Sequence, residues 1–238
     1  MPQVAVVTGA GTGIGQATAQ MLHARGYHVV AADLNAEALA WTNGVEGLVG
    51  VVADVSVESD NEAMMNVALE TFGGLDAVVL NAGIARRTYW EAEDAVDAYD
   101  AIMSVNARGV VLGIRHAAPK MAESGGGSIV VVASTSGVRA DPERFAYNAS
   151  KAAAINLARA AALDWGVKGV RVNVMAPGPT MTSIFQGGNS RPITLPSSLA
   201  ISRCSALAHP RNRRKLFVSS LHRRLVSSLV RCSCVTVE

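Results

Sequence analysis

Tyr147 and Lys151 lie four positions apart in the segment "YNASK" (147–151), within a stretch whose pattern predicts a helix. Residues at this spacing share one helix face, so the phenol and the ammonium group would be neighbours. A free tyrosine has a pKa of about 10, and a nearby positive charge favours the phenolate and lowers that pKa. Such a phenol can act as general acid or base at the oxygen of an alcohol or a ketone. Because many helices contain this spacing by chance, the pair indicates catalysis only together with further groups.

A glycine-rich segment, "TGAGTGIG" (8–15), follows the first apolar run of the chain. Glycine lets the backbone turn tightly and approach a ligand closely. A helix is predicted to begin in this segment, and the N-terminus of a helix attracts phosphate groups. The alternative is a glycine-rich turn without a ligand. The position between a strand and a helix favours a pyrophosphate-binding loop.

Apolar runs and helical patterns alternate along the chain and would position these groups. The predicted strands are 3–8, 27–33, 47–55, 75–83, 127–134 and 170–178. The predicted helices are 14–25, 35–41, 57–73, much of 91–122, and 147–166. Strands that alternate with helices indicate α/β architecture, a three-layer doubly wound parallel sheet. Ligands of such sheets bind beyond the carboxyl ends of the strands.

Composition restricts the class of protein. A chain of 238 residues suits one large domain, and 50% hydrophobic with only 17% charged residues argues against disorder. No apolar run is long enough to cross a bilayer, and the N-terminus lacks the basic region and cleavage site of a signal peptide. We therefore expect a cytoplasmic protein that does not bind a membrane. The spacing of the cysteines does not suit a metal site, so no metal is predicted.

The glycine segment has the spacing T-G-x-x-x-G-x-G, with Ile14 where the commoner G-x-G-x-x-G has its last glycine. This spacing and Y-x-x-x-K resemble the short-chain dehydrogenase/reductase family, and further matches follow in order from residue 8 to residue 182. The resemblance implies a single Rossmann-like domain over residues 1–186. It also implies hydride transfer between a nicotinamide cofactor and a small molecule, with interconversion of a secondary alcohol and a ketone.

Four catalytic residues are implied by the resemblance. Tyr147 would be the acid or base, helped by a positive nicotinamide, and Lys151 its electrostatic partner and ribose anchor. Ser134, thirteen residues before Tyr147, would hold the reacting oxygen. Ser136 is rejected for this role, since the family serine is followed after two residues by a glycine. Asn106, in "SVNARG", would support a water relay to the lysine; taken alone it predicts a polar helix residue bonded to backbone.

The cofactor contacts are implied in the same way. Asp33 ends the second predicted strand, where a carboxylate can accept hydrogen bonds from the adenosine ribose and repel a 2′-phosphate, so NAD is expected rather than NADP. The alternative for Asp33 is a solvated residue at the end of a strand. Asp54 would touch the adenine, and Thr182 would bond the nicotinamide carboxamide. The predicted cofactor-binding residues are Gly9, Gly13, Ile14, Gly15, Asp33, Asp54, Val55, Asn81, Ala82, Gly83, Tyr147, Lys151, Pro177, Gly178 and Thr182.

The last part of the chain has a different character. Residues 1–186 carry a net charge of −6 and residues 187–238 one of +8, and all three cysteines lie in the second range. The family pattern that should follow the sixth strand, including a seventh strand, is missing. We therefore expect 187–238 to be an aberrant, poorly ordered tail.

Codon arithmetic suggests a cause for this tail. If each unknown third base is joined to the first two bases of the next codon, 205–212 permits Arg-Phe-Gly-Thr-Pro-Glu-Glu, and 235–238 permits Asp-Gly-Gly. One constant shift yields these family segments in family order. The hypothesis is a frameshift or sequencing error between about Gln186 and Arg203. Resequencing the gene through this interval is the test, and an uninterrupted frame would reject it.

Two further alternatives concern partners and activity. "RNRRK" and "LHRRL" could form a basic arm for nucleic acid or an anionic membrane; without interleaved aromatic residues, no nucleic-acid partner is expected. The protein could instead be a catalytically impaired NAD-binding remnant.

The resemblance implies a homodimer or homotetramer whose contacts include the segment that the tail replaces. Arg86, Arg87 and Arg139 could face substrate, but a solvated surface position is predicted for them.

Overall fold

The computed structural model describes residues 1–178. Six parallel strands form one sheet: β1 (Val4–Thr8), β2 (His28–Asp33), β3 (Leu48–Val52), β4 (Ala77–Leu80), β5 (Gly127–Val132) and β6 (Val170–Met175). Five α-helices connect them: α1 (Gly13–Ala24), α2 (Glu58–Phe72), α3 (Ala95–Met103), α4 (Gly109–Glu123) and α5 (Phe145–Gly166). The predicted three-layer doubly wound sheet is therefore confirmed.

The strand order β3-β2-β1-β4-β5-β6 reverses direction between β1 and β4. Val6 of β1 is the register partner of Val30 on one side and of Val78 on the other. A sheet of this order opens a crevice at the carboxyl ends of the strands where the order reverses. The loops after β1 and β4 lie on the two sides of this crevice.

Every residue of β1 is buried, which explains its unbroken apolar run. Alternate side chains of a strand point to opposite faces. Val4 and Val6 belong to a core with the methionines of α2 and α4, whereas Ala5 and Val7 pack with Leu22 of α1. Burying such a side chain stabilises the fold by roughly 1.5–3 kcal/mol, so helices on both faces hold the central strands rigidly.

Element boundaries differ little from the predicted ones. The predicted helix 35–41 is a short 3-10 helix, Glu37–Thr42, and the helix predicted from 147 begins at Phe145. The helical region 91–122 is divided by a π-helical turn, Ser104–Arg108. Within residues 1–178, no helix is both long and apolar enough to cross a membrane. Thr182, the tail and any seventh strand lie outside the described residues.

Candidate active site

The glycine loop after β1 is tied to the end of β4. The Thr8 hydroxyl accepts hydrogen bonds from the backbone N–H groups of Asn81 and Ala82, at 3.0 and 3.1 Å. Gly9 has φ +64°, and a Cβ there would lie 2.9 Å from the Ala82 Cα. Only glycine adopts this conformation at little cost and leaves room for the neighbouring loop. The Asn-Ala-Gly segment therefore braces the glycine loop.

Gly15 permits the closest approach within the loop. A Cβ at Gly15 would lie 2.0 Å from the Gly9 carbonyl oxygen and 2.5 Å from Nδ2 of Asn81. The same Nδ2 donates to the carbonyl oxygens of Thr8 and Gly9, at 2.9 and 3.2 Å. Gly15 thus lets the start of α1 pack onto the loop. Its predicted contact with a cofactor stays a prediction, since it is not among the residues that line the cleft.

Asp33, at the end of β2, faces the loop. Its Oδ2 accepts a hydrogen bond of 2.8 Å from the Gly11 N–H, and its Oδ1 accepts one of 3.0 Å from the Asn35 N–H. Trp41 supports the loop from the same side, because its Nε1 donates to the Ala10 carbonyl at 3.3 Å. Sequence inspection missed Trp41, whose contribution depends on the folded 3-10 helix. The Asp33 carboxylate is held at one end of the cleft.

A cleft of about 310 Å³ joins the glycine loop to the predicted catalytic residues. Its loop end is lined by Gly9, Thr12, Gly13, Ile14 and Asp33, and its middle by Asn81, Ala82 and Gly83. Ser134, Tyr147 and Lys151 line the other end with Pro177 and Gly178. The fold therefore brings together groups that lie far apart along the chain.

Ser134 and Tyr147 form the polar centre of that end. The Ser134 hydroxyl hydrogen bonds with the phenol and also donates to Ser136 Oγ at 3.1 Å. Burial raises the pKa of the Tyr147 phenol, and the Ser134 hydrogen bond and the charge of Arg144 oppose this rise in part. Among the protein groups alone, desolvation outweighs the effects that favour the phenolate. The predicted lowering of this pKa by the lysine ammonium and a positive nicotinamide together stays a prediction.

Lys151 is buried below the phenol, with 5% of its surface exposed. Its Nζ donates to the Val132 carbonyl oxygen at 3.0 Å and lies 5.8 Å from the centre of the Tyr147 ring. Burial lowers the pKa of the ammonium group to about 8. Most molecules keep the charge at neutral pH, so the lysine can still act electrostatically on the neighbouring phenol.

Replacing Lys151 with methionine should stabilise the fold by about 1–3 kcal/mol at pH 7, because it removes a buried charge. The folded pKa of about 8 lies below the value of about 10.4 for a free lysine, so the unfolded chain binds more protons between these values. The free energy of unfolding of the native protein should therefore rise from pH 8 to pH 10 and approach that of Lys151→Met. Urea denaturation at several pH values measures this. Exposed Lys168→Met is the control, and an equal pH dependence there would contradict the assignment.

Asn106 lies in the π-helical turn and is 1% exposed. Its Oδ1 accepts from the Ile84 N–H at 2.8 Å, and its Nδ2 donates to the Ile84 carbonyl at 2.9 Å and to Ser150 Oγ at 3.0 Å. A Cβ at Gly83 would lie 3.1 Å from Asn106 Oδ1 and 3.2 Å from Lys151 Nζ. The side chain therefore positions the segment after β4 beside the lysine. Its predicted water relay stays a prediction.

Asp54 and Val55 do not line the cleft. Asp54 Oδ1 accepts from the N–H and hydroxyl of Ser56, at 2.8 and 2.7 Å. The side chain of Val55 packs closely against Gly109 at the start of α4. Their observed contacts are structural, and the adenine contact predicted for Asp54 stays a prediction.

The arginines behave differently from one another. Arg86 pairs with Asp94 at 2.5 Å and Arg87 with Glu143 at 2.8 Å, all with partly exposed side chains, in agreement with the predicted surface position. Arg139 is also exposed, as predicted, but it lines the cleft as well.

Sequence inspection also missed the cleft positions of Ser136, Asp141 and Arg144. Their signal was nearness in sequence to Ser134 and Tyr147. Ser136 Oγ donates to Asp141 Oδ2 at 2.5 Å, which ties the end of β5 to the wall of the cleft.

Comparison with known proteins gives consistent results. The family model described as short chain dehydrogenase matches residues 3–192. The 2-(R)-hydroxypropyl-CoM dehydrogenase of Xanthobacter autotrophicus is 39% identical over 196 residues, which cover 78% of each chain. The cis-4-hydroxycyclohexanecarboxylate dehydrogenase of Sinomonas cyclohexanicum is 38% identical over 189 residues, with 78% of this chain and 76% of the relative covered.

Solved structures agree with this comparison. The crystal structure of levodione reductase superposes with a TM-score of 0.71 at 34% identity, covering 76% of this chain and 73% of that chain. The 3-ketoacyl-(acyl-carrier-protein) reductase from Brucella melitensis, complexed with NADH, gives a TM-score of 0.74 at 32% identity, covering 77% and 78%. With its six-stranded Rossmann-like sheet and its match over residues 3–192, the chain belongs to the short-chain dehydrogenase family of oxidoreductases.

Proposed function

We propose that the protein is an NAD-dependent oxidoreductase that interconverts a secondary alcohol and a ketone. The single observation that carries this proposal is the cleft in which Ser134, Tyr147 and Lys151 lie at one end and the glycine loop at the other. Relatives named as dehydrogenases and a structural neighbour complexed with NADH support it.

The residues of the cleft fit a nicotinamide dinucleotide. Gly9 and Gly13, both at positive φ, line the cleft beside the N-terminus of α1. Backbone N–H groups at a helix start suit a pyrophosphate. The Asp33 carboxylate at the same end suits a ribose diol. When bound, the dinucleotide supplies the acceptor or donor of hydride.

The protein groups handle the oxygen of the substrate. Ser134 holds that oxygen by a hydrogen bond, and Tyr147 takes its proton during alcohol oxidation or returns one during ketone reduction. Lys151 contributes positive charge below the phenol and anchors the ribose. Asn106 holds the segment after β4 in place beside Lys151.

Fluorescence titration with NADH and turnover of a panel of secondary alcohols with NAD test this function on the full chain. Binding with turnover supports the oxidoreductase. Binding without turnover favours the alternative, a catalytically impaired NAD-binding remnant. The observation that favours this alternative is the change of composition after residue 186, close to residue 192 where the family match ends. Absence of NADH binding would contradict both.

Asp33→Asn should weaken the preference for NADH over NADPH by at least about ten-fold, because the variant loses the charge that repels a 2′-phosphate. The asparagine oxygen can still accept the hydrogen bond from Gly11, so the loop should persist. Dissociation constants for both cofactors measure the preference. Asp97→Asn, an exposed position on α3, is the matched control. A native protein that binds NADPH as tightly as NADH would contradict the assignment of NAD.

Three broader expectations belong to the same proposal. The division at residue 186, with an out-of-frame tail, is supported by the end of the family match at residue 192. A cytoplasmic location fits a nicotinamide-dependent enzyme. A homo-oligomer is what membership of this family implies. Sedimentation equilibrium tests the last point, and a monomer at all concentrations would contradict it.

A further inference from the structure

Two arginines line the cleft that also contains Ser134 and Tyr147, between which the reacting oxygen would lie. Arg139 and Arg144 belong to the segment between β5 and α5 and share the cleft with Ser134 and Tyr147. Arg144 directly precedes Phe145, the first residue of α5. Its charge lowers the pKa of the Tyr147 phenol, which places the guanidinium within electrostatic reach of the phenol oxygen.

Two acidic side chains belong to the same segment, Asp141 and Glu143. Asp141 lines the same cleft, but its Oδ2 already accepts the short hydrogen bond from Ser136. Glu143, one residue before Arg144, pairs with Arg87 at 2.8 Å. Among the ion pairs found within residues 1–178, none involves Arg139. The described lining of the cleft near Ser134 and Tyr147 thus includes two arginines and one carboxylate, that of Asp141.

The position of this charge indicates a role toward substrate. A cofactor pyrophosphate suits the glycine loop and the start of α1, which lie at the opposite end of the cleft with Asp33. The arginines instead flank the groups that hold the reacting oxygen. An arginine bonds a carboxylate or a sulfonate with two parallel N–H···O bonds, which fixes orientation as well as affinity.

We propose that the substrate carries a carboxylate or sulfonate group, which Arg144 and Arg139 bind while its alcohol or ketone oxygen lies between Ser134 and Tyr147. This inference rests on the proposed function, because it assigns the substrate class of the same site. The protein is thus a dehydrogenase of anionic hydroxy compounds, and the arginines act in specificity rather than in proton transfer.

Binding of matched aromatic probes tests this class without knowledge of the substrate. Calorimetry on the full chain with NADH compares benzoate with benzamide, and benzenesulfonate with benzenesulfonamide. The anion of at least one pair should bind at least about ten-fold more tightly than its neutral partner, as expected of hydrogen bonds to a charged group. The pair that shows the larger ratio distinguishes carboxylate from sulfonate recognition.

Arg144→Gln should bring the ratio of anion affinity to neutral-probe affinity close to one, and Arg139→Gln should reduce this ratio. Arg144→Lys, which keeps the charge but loses the planar fork, should retain part of it. Arg159→Gln, exposed on α5, is the control and should leave the ratio unchanged. Circular dichroism and NADH titration on each variant establish that the fold and the cofactor end are intact.

Equal affinity for anion and neutral partner in both pairs would overturn the proposal, as would a preference that persists in the double variant of Arg139 and Arg144. Either outcome can occur with normal NADH binding, which leaves the proposed function standing. An anion preference without any NADH binding would contradict the proposed function but support the anionic subsite.

Discussion

Replacing Tyr147 with phenylalanine should remove most of the turnover and leave NADH binding almost unchanged. The substitution deletes only the phenol oxygen, which hydrogen bonds with Ser134, and keeps the largely buried ring. Loss of a positioned general acid or base lowers rates by about 10²–10⁴-fold. We therefore expect kcat to fall by at least about 10²-fold. Among the described residues of the cleft, no other titratable group hydrogen bonds with Ser134 and could replace the phenol. Steady-state kinetics and fluorescence titration measure the two effects separately.

Tyr99→Phe is the matched control for this prediction. Tyr99 lies on α3 and is 37% exposed, so removal of its hydroxyl should change neither kinetics nor cofactor binding. Undiminished conversion by Tyr147→Phe would refute the assignment of Tyr147. A parallel loss of NADH affinity would show that the phenol acts in binding.

Gly15→Ala should displace the glycine loop and weaken NADH binding. The added Cβ would lie 2.0 Å from the Gly9 carbonyl oxygen and 2.5 Å from Asn81 Nδ2, so α1 or the loop must move. Overpacking of this kind destabilises a protein by roughly 1–3 kcal/mol. Displacement of the loop should also weaken NADH binding by at least about ten-fold, because phosphate binding at a helix start depends on close backbone approach. Urea denaturation and NADH titration measure both effects.

Gly166→Ala separates this packing effect from the general cost of replacing glycine. Gly166 is the last residue of α5, and a Cβ there would meet no atom within 4 Å. The control should be neutral or slightly stabilising. Equal behaviour of the two variants would contradict the close approach at Gly15.

The two predictions probe the opposite ends of one cleft. Tyr147→Phe should leave the glycine loop intact and remove catalysis, whereas Gly15→Ala should leave Tyr147 in place and weaken the binding of NADH. Combined kinetics of the two variants would therefore show whether binding and catalysis are separable in this chain.

The amino-acid sequence by itself determined the order and type of the elements. The unbroken apolar run of β1, the glycine loop and the pair Tyr147–Lys151 are local patterns, and local patterns depend on backbone geometry within a few residues. The bounds of the six strands and of α1, α2 and α5 were consequently predictable to within a few residues. The family motifs also placed Ser134 and Asp33 at the ends of their strands before any distance was known.

The tertiary structure alone decided quantities that depend on distances between remote segments. Burial of Lys151 lowers its pKa, and desolvation raises that of Tyr147, because strands and helices far apart in sequence exclude water from both groups. The engagement of Asn106 with Ile84 likewise depends on the approach of α3 and α4 to the loop after β4. Arg144 is an ordinary charged residue in sequence, and only folding places its charge beside the phenol at the end of a cleft. Sequence periodicity specifies which face of a helix or strand is buried. The pKa of a side chain depends instead on the positions of all the groups around it, which only the folded structure provides.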